Sequence, residues 1–131
     1  MLRLESLRPG DDRLTRDIAL GRDPYVKLLA RQTGAAYWRE WAARALTRRT
    51  VTQHFGRAFH QAAERATIIH FALDDIEDIE EAVRTGRRGF TPGNFTNAEL
   101  RYIVTHPVLL QKTRFYRGGE PVPTVAFPFL H

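Results

Sequence analysis

The chain has 131 residues with 43% hydrophobic and 27% charged side chains, a length and balance that suit one ordinary domain and exclude disordered or collagen-like classes. Its net charge is +5, and only two of the 20 basic residues are lysines, Lys27 and Lys112; the arginine forks suit phosphate or nucleic acid, or simply solvate helix faces. Without cysteine there is no disulfide scaffold, zinc–thiolate site, thiol catalysis or Cys-ligated zinc of the deaminase kind.

The first 23 residues, with Pro9-Gly10 and Gly21, read as a partly ordered lead-in, and MLRLESLRPGDDR lacks the apolar stretch of a signal peptide. No run approaches the ~20 apolar residues of a membrane span. Asp23-Pro24 marks a helix start, and Tyr25, Leu28 and Leu29 give a helix that ends near Gly34. A second helix is predicted over Ala35 to Arg49, with Trp38, Trp41, Ala42, Ala45 and Leu46 on one face, and a third over Val51 to Arg65.

The pattern changes at Ala66. Thr67 to Phe71 is short and β-branched and predicts a strand. Asp74 and Asp75 offer N-caps for a helix to Thr85, with Ile76, Ile79 and Val83 inward and Gly86 as its stop. After the loop GRRGFTPGN, Thr96-Asn97 caps a short helix with Leu100, Ile103 and Val104 buried, and His106-Pro107 breaks it. Val108 to Leu110 add one apolar turn, then Thr113 to Tyr116 and Pro121 to Phe127 form a hairpin. The expected fold is α+β: one domain over residues 1–131, with helices in 1–65 packed against a small antiparallel sheet within 66–131.

Charge follows these segments. Residues 1–65 carry +6, residues 66–85 carry −5 on the outer face of one helix, and residues 86–131 carry +4. Two basic stretches around an acidic one can form a surface that attracts polyanions. Phosphate-binding loops, dinucleotide fingerprints, HExxH and GxSxG are all absent. The helix dipole accounts for the acidic cluster and the histidines lack ligand spacing, so neither metal nor cofactor is expected.

His54 and His60 fall on the polar side of the third helix, His106 at a helix end and His131 at the last position. His70 differs, because it lies between Ile69 and Phe71 in a strand and faces away from both. With its neighbours in the core, His70 would face the open side of the sheet and a substrate, or serve as a hydrogen-bonded structural histidine. Further on, Glu99, Arg101, Lys112, Thr113 and Tyr116 supply a base, cations and hydroxyl groups. Those are the parts of metal-free RNA cleavage, in which a base takes the 2′-hydroxyl proton, an acid protonates the 5′-oxygen and cations stabilise the phosphorane. Glu99 is equally explained as a first-turn dipole residue.

The patterns IHFxL–D–I (Ile69 to Ile76), TxxELxxI (Thr96 to Ile103) and LxxTxFYxxG (Leu110, Thr113, Phe115, Tyr116, Gly119) resemble C-terminal toxin domains of bacterial polymorphic toxins, of the Rhs and contact-dependent-inhibition kind. The resemblance covers roughly residues 67–119. It implies delivery by a secretion system into a neighbouring cell's cytoplasm, a cognate immunity protein of acidic character, and attack on nucleic acid, often by metal-independent RNases of the barnase, EndoU, colicin or RelE type. The roles expected on that basis are His70 as general base, Glu99 as its partner or an alternative base, and Arg101 and Lys112 as phosphate stabilisers. Thr113 and Tyr116 would orient the phosphate, and Arg87, Arg88, Arg114 and Arg117 would bind tRNA or another structured RNA. Two alternatives stay open. One is an ADP-ribosyltransferase using NAD with Arg101, Thr113 and Glu99; the other is a non-catalytic basic module that binds nucleic acid or a host protein.

Overall fold

The computed structural model describes residues 6–7, 17–38, 48–91 and 93–123. Helices and strands share one α+β fold built on a six-stranded sheet. The strands are β1 (Ser6–Leu7), β2 (Ile18–Leu20), β3 (Ala36–Trp38), β4 (Ile69–Ala72), β5 (Thr113–Arg117) and β6 (Glu120–Val122). Their order is β1-β3-β2-β4-β5-β6; every neighbouring pair is parallel except β5–β6. The sheet is therefore mostly parallel, which corrects the expected antiparallel one; β1 and β2 lie in the stretch expected to be a partly ordered lead-in, and β3 in one expected to be helical. Parallel neighbours cannot be joined by tight turns and need crossovers. These are supplied by α1 (Tyr25–Thr33) after β2, α2 (Arg48–Arg65) before β4, and α3 (Ile79–Thr85), α4 (Phe95–Val104) and α5 (Pro107–Gln111) before β5.

Alternation along the strands sorts side chains onto two faces. Ile18, Leu20, Ile69, Phe71 and Phe115 point to one face, where they pack with Phe59, Ala62 and Ala63 of α2 and with Leu100, Ile103 and Val104 of α4. Ala19, Ala72 and Tyr116 point to the other, against Val26, Leu29 and Ala30 of α1. Small residues at Ala19 and Ala72 let α1 lie close to the sheet. Helices thus cover both faces, the arrangement that buried parallel strands require.

Several element boundaries differ from expectation for local reasons. The stretch expected to open a helix at Ala35 instead forms β3, paired with both β1 and β2; Trp41, Ala42, Ala45 and Leu46 of that expected helix lie outside the described residues. Helix α3 starts at Ile79 because Asp78, not Asp74 or Asp75, caps it by accepting the Glu81 N–H at 3.0 Å. Helix α4 starts at Phe95 after Asn94, so Thr96 and Asn97 sit inside it, and Glu99 is its fifth residue rather than part of a capping turn. A short 3₁₀ turn, Gly86–Arg88, links α3 toward α4. A Cβ at Gly86 would stand 2.5 Å from the Asn97 carbonyl oxygen and 2.6 Å from the Arg101 Cβ, so the close α3–α4 approach requires glycine there.

The predicted closing hairpin is present. Gly118 and Gly119, with φ of +60° and +79°, form its two-residue turn, the conformation that matches strand twist and that favours glycine at both positions. Strand β6 ends at Val122; the remainder of the predicted strand from residue 124 lies outside the described residues.

Candidate functional site

The parallel register brings three polar residues from three strands or strand ends into one line. Pairing of Ala19 with His70 places Asp17, two residues earlier, on the face of β2 that His70 shares. Pairing of Ala72 with Tyr116 does the same for the tyrosine. The His70 Nε2 lies 2.9 Å from the Asp17 Oδ2, and its Nδ1 lies 2.8 Å from the Tyr116 hydroxyl. His70 and Tyr116 are buried, at 4% and 7% exposure, whereas the Asp17 side chain is about one-third exposed, at 32%.

The donor and acceptor inventory fixes how protons lie along this line. A carboxylate only accepts, so His70 Nε2 carries the hydrogen that bonds to Asp17. In the neutral imidazole Nδ1 is then an acceptor, and the Tyr116 hydroxyl donates to it. In the imidazolium both nitrogens donate, the ring is held by Asp17, and the tyrosine's own proton is released to another acceptor. Two protonation states of His70 therefore point the Tyr116 proton in two directions. This is the logic of a carboxylate–histidine pair that sets up a hydroxyl group, with tyrosine as the terminal member.

His70 faces away from Ile69 and Phe71 as expected, yet it does not meet solvent. Helix α1 returns across that face between β2 and β3, so the line meets the outside at its two ends, at the part-exposed Asp17 and at Tyr116. The tyrosine lines a cleft of about 300 Å³ between α1 and the β5–β6 turn, together with Tyr25, Leu28, Leu29, Gln32 and Asp74. This cleft lies beyond the carboxyl ends of β4 and β5. The strand order reverses nearby, between β2 and β4, and crevices at such ends are where open parallel sheets bind ligands. At the reversal itself Arg22, after β2, bonds Asp75, after β4, at 3.0 Å.

Of the residues expected to act together, the structure gathers His70 and Tyr116 and disperses the rest. Glu99 is buried, at 4% exposure, on α4 in the helical layer across the sheet. Arg101, on the same helix, donates to the Val83 carbonyl at 3.0 Å and ties α4 to α3. Thr113 faces the core side of β5 and donates to the Leu109 carbonyl at 2.7 Å. Arg87 and Arg88 are exposed on the 3₁₀ turn, also away from His70. Arg117 donates to the Leu73 carbonyl at 3.1 Å and holds the end of β5 to that of β4. Arg114 is exposed, and its pairing with His70 in the register puts it on the same face as His70 and Tyr116.

Lys112 has a structural task. Its ammonium donates to the carbonyls of Glu64 at 2.9 Å and Ala66 at 2.7 Å, closing the carboxyl end of α2. Burial pulls its pKa below the ordinary 10.5, and the Glu64 carboxylate partly opposes that shift. A lysine lowered in the folded state binds fewer protons there than in the unfolded chain just below 10.5, so its contribution to stability rises with pH in that window. Denaturant melts at about pH 8 and about pH 10 should show the difference between wild type and Lys112→Met growing at the higher pH. A difference that shrinks would contradict this reading.

Asp17 is the member that sequence reasoning missed. The available signal was Asp17-Ile18-Ala19-Leu20-Gly21, a short apolar run bounded by a polar residue and glycine just before a well-marked helix, as buried parallel strands often are. Among the described residues, no three His, Cys, Asp or Glu side chains gather closely enough to hold a metal ion, and no helix is long and apolar enough to cross a membrane. Comparison with protein-family models, curated proteins and solved structures finds no match to this chain.

Proposed function

We propose that this chain is a metal-independent endoribonuclease in which Tyr116 exchanges protons with the substrate, and Asp17 and His70 are the residues that position and charge it. The observation that carries the reading is the Asp17–His70–Tyr116 line ending at a cleft. As Tyr116 takes the 2′-hydroxyl proton it passes its own to His70 Nδ1, and the imidazolium that forms is stabilised by the Asp17 carboxylate. The 2′-oxygen bonds to phosphorus and the bond to the 5′-oxygen breaks. Return of the proton from His70 through Tyr116 to the departing 5′-oxygen restores the neutral imidazole. The products are a 2′,3′-cyclic phosphate and a 5′-hydroxyl.

The choice of RNA rests on the arginine-rich charge of +5 and on the resemblance of residues 67–119 to polymorphic toxin domains. That resemblance also supports delivery into a neighbouring cell and inhibition by a cognate immunity protein. Exposed Arg114 is the cation of this reading on the relay's face of the sheet. Glu99, Arg101, Lys112 and Thr113 are not given catalytic roles in it. The ADP-ribosyl transfer alternative gains no support, because Arg101 and Thr113 are engaged with backbone carbonyls of different helices.

Incubating the purified chain with total bacterial RNA and EDTA, followed by a denaturing gel, tests the proposal. Discrete fragments ending in cyclic phosphate are the expected result. RNA that stays intact, or is cut equally by Tyr116→Phe, overturns it.

A further inference from the structure

The cleft beside Tyr116 has a shape and polarity that the proton relay alone does not require. Its volume of about 300 Å³ is at the lower end of the roughly 300–1,000 Å³ typical of small-molecule sites. That is room for a single planar ring system. Tyr25 and Tyr116 contribute aromatic walls, and Leu29 and Ala72 an apolar floor. Leu28 stands at the rim with 57% of its surface exposed, one of the large apolar side chains left uncovered.

The polar groups of the cleft are oriented by bonds of their own. The Gln32 side-chain N–H donates to the Gly119 carbonyl at 2.7 Å, which fixes the amide beside the turn and leaves it an oxygen and a second N–H, able to accept or to donate. One Asp74 oxygen accepts the Gly118 N–H at 2.8 Å, and the carboxylate keeps its second oxygen. Aromatic and aliphatic walls with one carboxylate acceptor suit an unstacked base that presents an amino group, since splayed-out RNA bases are read by stacking and by hydrogen bonds at their edges.

We propose that this cleft is a nucleobase subsite selective for amino-bearing bases of single-stranded RNA, and against uracil. The inference rests on the ribonuclease reading for its polymer and on the cleft for its selectivity. Cytosine and uracil have nearly the same shape, but cytosine offers an amine where uracil has a carbonyl oxygen. In uracil that oxygen would face the second Asp74 oxygen with no proton to share between them, the situation in which sites discriminate most strongly.

Calorimetric titration of the full chain with cytidine and uridine monophosphates tests this directly. Cytidine monophosphate should bind at least ~10-fold more tightly, in line with sites built around hydrogen bonds. Tyr25→Ala should weaken it by roughly 10-fold through lost stacking, and Asp74→Asn, whose oxygen can still accept the Gly118 N–H while its amide N–H replaces the second carboxylate oxygen, should narrow or reverse the preference with the melting temperature held. Equal affinities, no binding, or no effect of Asp74→Asn would overturn the subsite. RNA cleavage without any base preference would leave the ribonuclease standing and reject the subsite. Selective binding that depends on Asp74, with no RNA cleavage, would support the subsite and reject the ribonuclease.

Discussion

Tyr116→Phe is expected to lower RNA cleavage by roughly 10²–10⁴-fold, the usual contribution of one proton-transferring group. The substitution keeps the ring that packs beside Leu29 and Ala72 and removes a single oxygen. It also leaves His70 Nδ1 without the hydroxyl at 2.8 Å, which costs about 1–3 kcal/mol for an unsatisfied buried polar group. At about 3–5 °C per kcal/mol for a chain of this size, the melting temperature should fall by several degrees, so activity must be compared well below it. Asp17→Asn should act by a different route to the same end. An asparagine amide that donates to Nε2 favours the opposite tautomer, in which Nδ1–H donates to the tyrosine oxygen and can no longer accept its proton. Losses from the two variants should therefore fail to multiply in the double mutant, as expected for members of one unit. A network that merely holds β2, β4 and β5 together predicts lowered melting temperatures and unchanged turnover in all three proteins, and that outcome would remove the relay from the mechanism.

The elements that sequence reasoning reached are those whose signal is local. Helix α1 is bounded by Pro24 and Gly34, α5 begins at Pro107 after His106, and the β5–β6 turn carries two glycines, each a conformational requirement written at the position concerned. The β2 and β3 strands carry no such signal. Three residues in length, they are too short for a period to emerge, and Ile18-Ala19-Leu20, buried throughout, shows no polar alternation. Missing β2 hid Asp17, whose bond to His70 spans 53 residues of sequence. It also turned a covered face into an open one, because α1 crosses His70 only if a strand precedes the helix. The arginines and Lys112 went astray for a related reason. Their residue types suit phosphate, but which carbonyl each one meets is decided by helix packing, as at Val83 for Arg101 and Glu64 for Lys112.

Phe71→Ala should separate stability from chemistry on the same strand. Phe71 is wholly buried next to His70 in sequence, but it points to the opposite face, where its ring lies 5.9 Å from that of Phe115. Truncation of such a phenylalanine costs about 3–5 kcal/mol, a large part of the ~5–15 kcal/mol that holds a typical domain folded. At about 3–5 °C per kcal/mol the melting temperature should drop by roughly 10–25 °C. The relay lies on the other side of β4 and depends on the backbone register with β2 and β5, so at temperatures where the variant remains folded its turnover should stay near wild type. Tyr116→Phe should show the reverse pattern, a modest melting shift with the catalytic loss persisting at every temperature. If Phe71→Ala melts within a few degrees of wild type, β4 is not the central strand of the core, and the register that aligns Asp17, His70 and Tyr116 loses its support.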